Sequence, residues 1–195
     1  MTSCSRPVVD ESPPEERIRQ ARIDMEKKRN ERAYESLEGL RLVTAGTRLG
    51  GEVQFLLGEA AYNLGKFPEA ESHYEAYLNA YPAGPFTEKA VYRQAISKVK
   101  QIQKRKIGLL SFKAYIPHDR DISLLREARV LFQLYVERYP DGEWVADANR
   151  RAEELLTKEG MHELEIASFY LRKNNPLAAI KRAGRILGGE FPEKI

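Results

Sequence analysis

The chain has 195 residues, of which 42% are hydrophobic; that suffices for one domain with a sizeable core and argues against a disordered chain. Charged residues make up 31% but nearly cancel, leaving a net charge of +3 that gives no reason by itself to expect nucleic acid. A single cysteine excludes an internal disulfide framework and a cysteine-rich metal site, and no apolar run approaches the ~20 residues of a membrane helix, IGLLSF from Ile107 being typical.

Residues 1–12 read as a tether. SRPVVDES, residues 5–12, is polar and Pro-interrupted, and Cys4 before it has two readings: an incidental thiol, or the acylated cysteine of a bacterial lipoprotein, which the Thr-Ser-Cys-Ser context resembles although no basic and apolar leader precedes it here. Ser12, Pro13, Pro14 and Glu15 then form a helix start, with Ser12 as the expected cap. From there to the end the apolar residues keep a helical period and no alternating strand is found, so the fold class is all-α.

The periodic elements repeat. Ala33, Leu37 and Leu40 open the pattern, and GTRLGG, residues 46–51, reads as a connector between helices because it lacks a preceding strand and the Lys-Ser/Thr of a phosphate loop. Leu57, Gly58, Tyr62 and Gly65 fit the first helix and turn of a hairpin whose second helix carries Ala70, Tyr74, Tyr77, Tyr81 and Pro82. The same residue types return at the same spacing as Ala128, Phe132, Tyr135, Tyr139 and Pro140. Such positions form one helical stripe, and the proline ends each helix by excluding the α conformation from the residue before it.

This is the tetratricopeptide pattern, with its ~34-residue period. Ala95 marks the next first helix, and the long gap from it to Ala128 predicts a prolonged helix and then an inserted loop near 107–121. Trp144–Lys158 and His162–Lys173 read as a further hairpin, and Pro176–Leu187 as a last helix whose own hairpin is half made. The expectation is a single domain over 13–195, a solenoid of about four to five helical hairpins.

Catalysis has little to stand on. His73, His118 and His162 are far apart, His162-Glu163 lacks the second histidine of a zinc helix, and His73 is placed on the charged, solvent-facing side of its helix. Glu153-Glu154 is an ordinary exposed pair. No enzyme activity, metal or cofactor is expected. Repeat stacks act as surfaces, and the first helices of successive hairpins line a concave groove suited to peptides. Gln54, Tyr62, Tyr92 and Arg93 are the candidates for that groove, with core positions favoured for at least one of the two tyrosines.

From Lys89 to His118 there is no acid, while Lys89, Arg93, Lys98, Lys100, Lys104, Arg105, Lys106 and Lys113 are basic. The run reads either as a solvated helix end favoured by the helix dipole or as a basic surface for lipid headgroups or an acidic partner, with Lys98, Lys100, Lys104, Arg105 and Lys106 at its centre. No recognition motif accompanies the charge, so nucleic acid is not expected. Arg182 has Ala178 and Ala179 at i−4 and i−3, so no partner within its own helix can hold it.

The order of parts resembles the BamD family of outer-membrane assembly lipoproteins, over roughly residues 14–192. The resemblance rests on HELEIASFYLRKNNPLAAIKRAGRIL from His162, on the inserted loop with Asp119 and Asp121 before Ala128, and on the cysteine and tether at the N-terminus. It implies a non-catalytic scaffold in the barrel-assembly machinery, lipid-anchored through Cys4 at the periplasmic face of the outer membrane. It also implies a groove for unfolded outer-membrane proteins, and an Arg182 that pairs with a carboxylate on a periplasmic domain of the barrel subunit BamA beside other assembly subunits. Gly188-Gly189 makes the closing turn one residue longer than the family pattern, and members continue beyond the position of Pro192. A periplasmic or cytoplasmic repeat adaptor or co-chaperone for other peptides stays open as the alternative.

Overall fold

The computed structural model describes residues 12–106 and 121–186, with side chains for all of these except 103–106. The described residues form helices α1 (Pro14–Glu26), α2 (Asn30–Arg41), α3 (Arg48–Asn63), α4 (Phe67–Ala80), α5 (Thr87–Lys106), α6 (Ser123–Arg138), α7 (Val145–Arg172) and α8 (Pro176–Arg185), and no strand. Contacts run between consecutive helices along the whole chain, with α1 also touching α3. This is the nearest-neighbour arrangement of a stack of helical hairpins.

The repeated stripe is the core. Ala33 and Leu37 of α2, Ala70, Tyr74 and Tyr77 of α4, and Ala128, Phe132 and Tyr135 of α6 are all fully buried. Each small alanine lets a neighbouring helix close in, while each ring fills the space between helices and contributes on the order of 1.5–3 kcal/mol by leaving water.

Two turn types recur. Within three of the hairpins the chain reverses through one residue in the left-handed region, Lys28 (φ 60°), Gly65 (φ 70°) or Asn174 (φ 55°). In each case the next amide reaches back to close the helix end: Arg29 N–H to the Asp24 carbonyl, Lys66 to Ala61, Asn175 to Tyr170. In two of the connections between hairpins, α4–α5 and α6–α7, the turn is built on a tyrosine hydroxyl. Tyr77 Oη accepts the Phe86 amide at 3.0 Å, and Tyr135 Oη accepts the Trp144 amide at 3.1 Å. Gly84 and Gly142 make room for those hydroxyls, since a Cβ at either would lie 2.2 Å or 2.5 Å from the oxygen. Phe86 then stacks on Phe55 (4.6 Å, 8°) and Trp144 on Tyr92 (5.1 Å, 18°), so each of these two turns delivers a ring onto the first helix of the hairpin before it.

Several local expectations are corrected. Pro13, not Ser12, takes the N-cap position of α1, because Pro14 sets the first helical residue and leaves Ser12 one place too early. GTRLGG is connector only as far as Thr47, whose hydroxyl caps α3; Arg48 to Gly51 are helical, and Gly50 and Gly51 lie against Tyr81. The expected hairpin of 144–158 and 162–173 is one helix of 28 residues, α7. Its middle holds a lone Gly160 and no proline, and one glycine costs a helix only about 1 kcal/mol. The last helix, α8, therefore completes a fourth hairpin with α7. α5 is prolonged to Lys106 as expected; the inserted loop itself, with His118 and Asp119, falls outside the described residues, as does Cys4. At its exit Asp121 accepts from both the amide and the hydroxyl of Ser123.

Candidate functional site

The groove candidates separate into different clusters. Tyr62 and Arg93 come together: the guanidinium lies 5.0 Å over the Tyr62 ring and pairs with Glu59 at 3.0 Å. Glu59 also takes Lys89 at 3.2 Å and the Tyr74 hydroxyl at 2.6 Å, so α3, α4 and α5 meet on one carboxylate. Burial, then the Glu59 charge and hydrogen bond, push the Tyr74 hydroxyl far above its ordinary pKa of 10.0.

Tyr92 is placed elsewhere. Its position matches Phe55 of the preceding hairpin, its ring carries Trp144, and its hydroxyl donates to Asp147 of α7. It is a packing residue of the α5–α7 contact. Gln54 turns to α4, where its amide donates to the His73 carbonyl at 3.2 Å.

His73 is not solvent-facing. Its Nε2 is 3.1 Å from Tyr34 Oη, its Nδ1 is 3.1 Å from Gln54 Nε2, and its side chain is 14% exposed. Burial lowers its pKa below the usual 6.5, against the raising effect of Glu38. The helical wheel placed it on a charged face, but that face is covered by α2 and α3.

The basic segment is also largely neutralised. Lys98 is only 13% exposed and bridges Glu71 of α4 at 2.8 Å and Glu127 of α6, while Lys89 and Arg93 are held by Glu59. The acid-free stretch is real along the chain, yet its counterions come from neighbouring helices. Lys100 is half-buried, and the side chains of Lys104, Arg105 and Lys106 fall outside the described residues.

The densest charge cluster is at α6–α8, and the sequence pointed only to Arg182. Glu159 and Glu163, one turn apart on α7, are 3% and 1% exposed. Arg129 of α6 holds Glu159 at 2.7 Å. Arg126 reaches both acids, at 3.7 and 3.4 Å. From the other side, Arg182 and Arg185 of α8 bind Glu163 at 3.0 and 3.1 Å. Arg182 is therefore not a guanidinium waiting without a counterion, as the alanines at i−3 and i−4 implied; its partner comes from the preceding helix. Lone buried carboxylates would be costly, and clamping by guanidiniums is what makes them tolerable. His162 between them is 4% exposed, and its Nδ1 has no hydrogen-bond partner among the described residues.

The missed acids had a sequence signal. Leu155, Glu159, Glu163 and Ala167 continue one buried stripe at i+4 steps, so two carboxylates occupy positions that would otherwise be apolar. The Arg-x-x-Arg pairs 126/129 and 182/185 flank them in sequence. Four arginines against two glutamates leave the cluster cationic. It opens onto a groove of about 380 Å³ lined by Tyr170, Ala178, Lys181, Arg182 and Arg185. Leu177 and Ile180, on the adjoining face of α8, are 80% and 67% exposed. Chemically this is a seat for an anionic group, rich in planar donors suited to a carboxylate. No group of three or more metal-ligating side chains occurs among the described residues.

A profile of the YfiO family, described as outer membrane lipoprotein, matches residues 10–194. The chain belongs to this family. Three relatives, each named outer membrane protein assembly factor BamD, illustrate the range of similarity. That of Xylella fastidiosa (strain 9a5c) is 28% identical over 130 residues, 66% of this chain and 43% of that protein. That of Neisseria gonorrhoeae is 36% identical over 70 residues, 36% of this chain and 26% of that protein. That of Rickettsia prowazekii (strain Madrid E) is 21% identical over 165 residues, 85% and 61% of the two chains. The chain spans less than two thirds of the length of these relatives. No described helix of this YfiO-family chain is long and apolar enough to cross a membrane.

Proposed function

We propose that the chain is a non-catalytic scaffold of outer-membrane barrel-protein assembly, docking a periplasmic domain of the barrel subunit through the α8 groove. The relatives' shared name supports the process, and the groove supports the mode. The observation that carries it is Arg182, 35% exposed, presented beside Arg185 and Lys181 at the mouth of a cation-lined groove. A partner carboxylate meets there a planar fork that a lysine does not reproduce.

Client polypeptides are assigned to the first-helix face, where Tyr62 and Arg93 offer an aromatic surface beside a cation. Gln54 and Tyr92 support that face by fixing α3 on α4 and α5 on α7. Cys4 is the proposed acylation site, which places the stack at the periplasmic face of the outer membrane. Lys100, Lys104, Arg105 and Lys106 are left as the basic surface for lipid headgroups or an acidic partner.

The test is Arg182→Glu. Pulldown of the barrel subunit's soluble periplasmic region is expected to be lost while the helical circular dichroism signal is kept. Full pulldown by a folded Arg182→Glu chain rejects the docking role.

A further inference from the structure

Three guanidiniums share Glu163: Arg182 at 3.0 Å, Arg185 at 3.1 Å and Arg126 at 3.4 Å. The carboxylate is 1% exposed, behind the groove, whereas Arg182 and Arg185 are 35% and 50% exposed and line it. Each of these two arginines touches Glu163 through Nη1 alone. Among the described residues their Nε and Nη2 donors therefore remain open to a second carboxylate from outside.

We propose that Glu163 is an internal competitor for this arginine pair, weakening the docking of an acidic partner segment and so keeping it reversible. The proposal rests on the docking reading above and adds its regulation. Two carboxylates on opposite edges of one guanidinium stand ~7 Å apart. At that separation, in the intermediate dielectric of a half-open groove, their repulsion weakens the outer one by roughly tenfold after screening. An opposing effect exists, because Glu163 also holds the two side chains in place. A glutamine keeps one oxygen, and at the Oε1 position that oxygen lies 3.4 Å from Arg182 Nη1 and 3.1 Å from Arg185 Nη1, so the shorter Oε2 contact is lost and the loss of order is worth about two- to threefold. Repulsion is the larger effect. Glu163→Gln is expected to bind more tightly, the reverse of what a purely structural carboxylate predicts.

The experiment measures Kd of the full chain for the barrel subunit's soluble periplasmic region. Glu163→Gln is expected to tighten binding about tenfold, and Arg182→Ala added to it should abolish the gain. A folded Glu163→Gln chain that binds equally or more weakly overturns the proposal, and the docking reading survives this provided Arg182→Glu still loses the partner. If Arg182→Glu binds normally, the docking reading falls and the competitor role with it.

Should Glu163→Gln fail to fold, Arg126→Gln decides, since Arg126 is 47% exposed. Removing this third guanidinium leaves Glu163 to grip Arg182 and Arg185 harder. Binding should weaken about threefold even at roughly 0.5 M salt, where the Debye length is only about 4 Å and a distant field effect is screened out. Unchanged or tighter binding by Arg126→Gln at that salt overturns the proposal.

Discussion

Asp147 concentrates the chemistry of the α5–α7 contact in one side chain. It accepts from the Tyr92 hydroxyl and from Arg150 and Arg151. Burial alone raises its pKa, but the hydrogen bonds from Tyr92, Arg151 and Arg150 outweigh burial and hold it at about 2 against an ordinary 3.8. A depressed carboxylate stabilises the fold above its unfolded pKa, and the contribution disappears as pH falls from 3.8 through about 2. Asp147→Asn should flatten this acid limb: urea midpoints of variant and native chain, well apart at neutral pH, are expected to converge in that window. Tyr92 works in the opposite sense. Burial, then the hydrogen bond to Asp147, raises its hydroxyl to about 12, so its contribution is present below pH 10 and lost as pH climbs through 12. The Tyr92–Asp147 bond is not legible in the sequence, where Tyr92 is a groove candidate. The two lie 55 residues apart, and only packing of α5 on α7 joins them.

At the scale of elements, the inter-hairpin turn carries more information than the Tyr-Pro stop that advertises it. The full unit is Tyr77, Tyr81, Pro82, Gly84 and Phe86, repeated as Tyr135, Tyr139, Pro140, Gly142 and Trp144. Its purpose is visible only once the buried hydroxyl is seen to accept the amide nine residues on. Gly84→Ala and Gly142→Ala should each cost about 2 kcal/mol, as forced overpacking does. Tyr77→Phe combined with Gly84→Ala is expected to cost less than the sum of the singles, because the added methyl clashes chiefly with the hydroxyl; strict additivity in a double-mutant cycle by chemical denaturation contradicts this. α7 shows the converse difficulty. The ranges Trp144–Lys158 and His162–Lys173 place a hairpin break at 159–161, but that segment has no proline and a single turn residue, Gly160, which one helix accommodates. Continuity of this helix, ~42 Å long, is what slides Glu159 and Glu163 between α6 and α8 and so builds the candidate site.

Across the whole molecule, stability should follow the nearest-neighbour logic of the stack. Tyr74 is fully buried between α3 and α4 and hydrogen-bonds Glu59. Tyr74→Ala is expected to cost roughly 3–5 kcal/mol. Amide hydrogen exchange should rise most in α3 to α5 and least in α7 and α8, and a uniform rise along the chain would show a single cooperative core instead. The sequence by itself determined the helices, the buried stripe and the hairpin repeat, because helical period, proline stops and left-handed turn residues act over a few neighbouring positions. The resemblance to the family rested on other features: the segment from His162, the acidic residues before Ala128, and the N-terminal cysteine with its tether. Only the tertiary structure decided which charge meets which: Lys98 with Glu71 and Glu127, Arg93 with Glu59, Arg182 and Arg185 with Glu163. An ion pair between helices depends on which faces come together, and that is set by the packing of rings and small residues along the entire stack, not by spacing within any one helix.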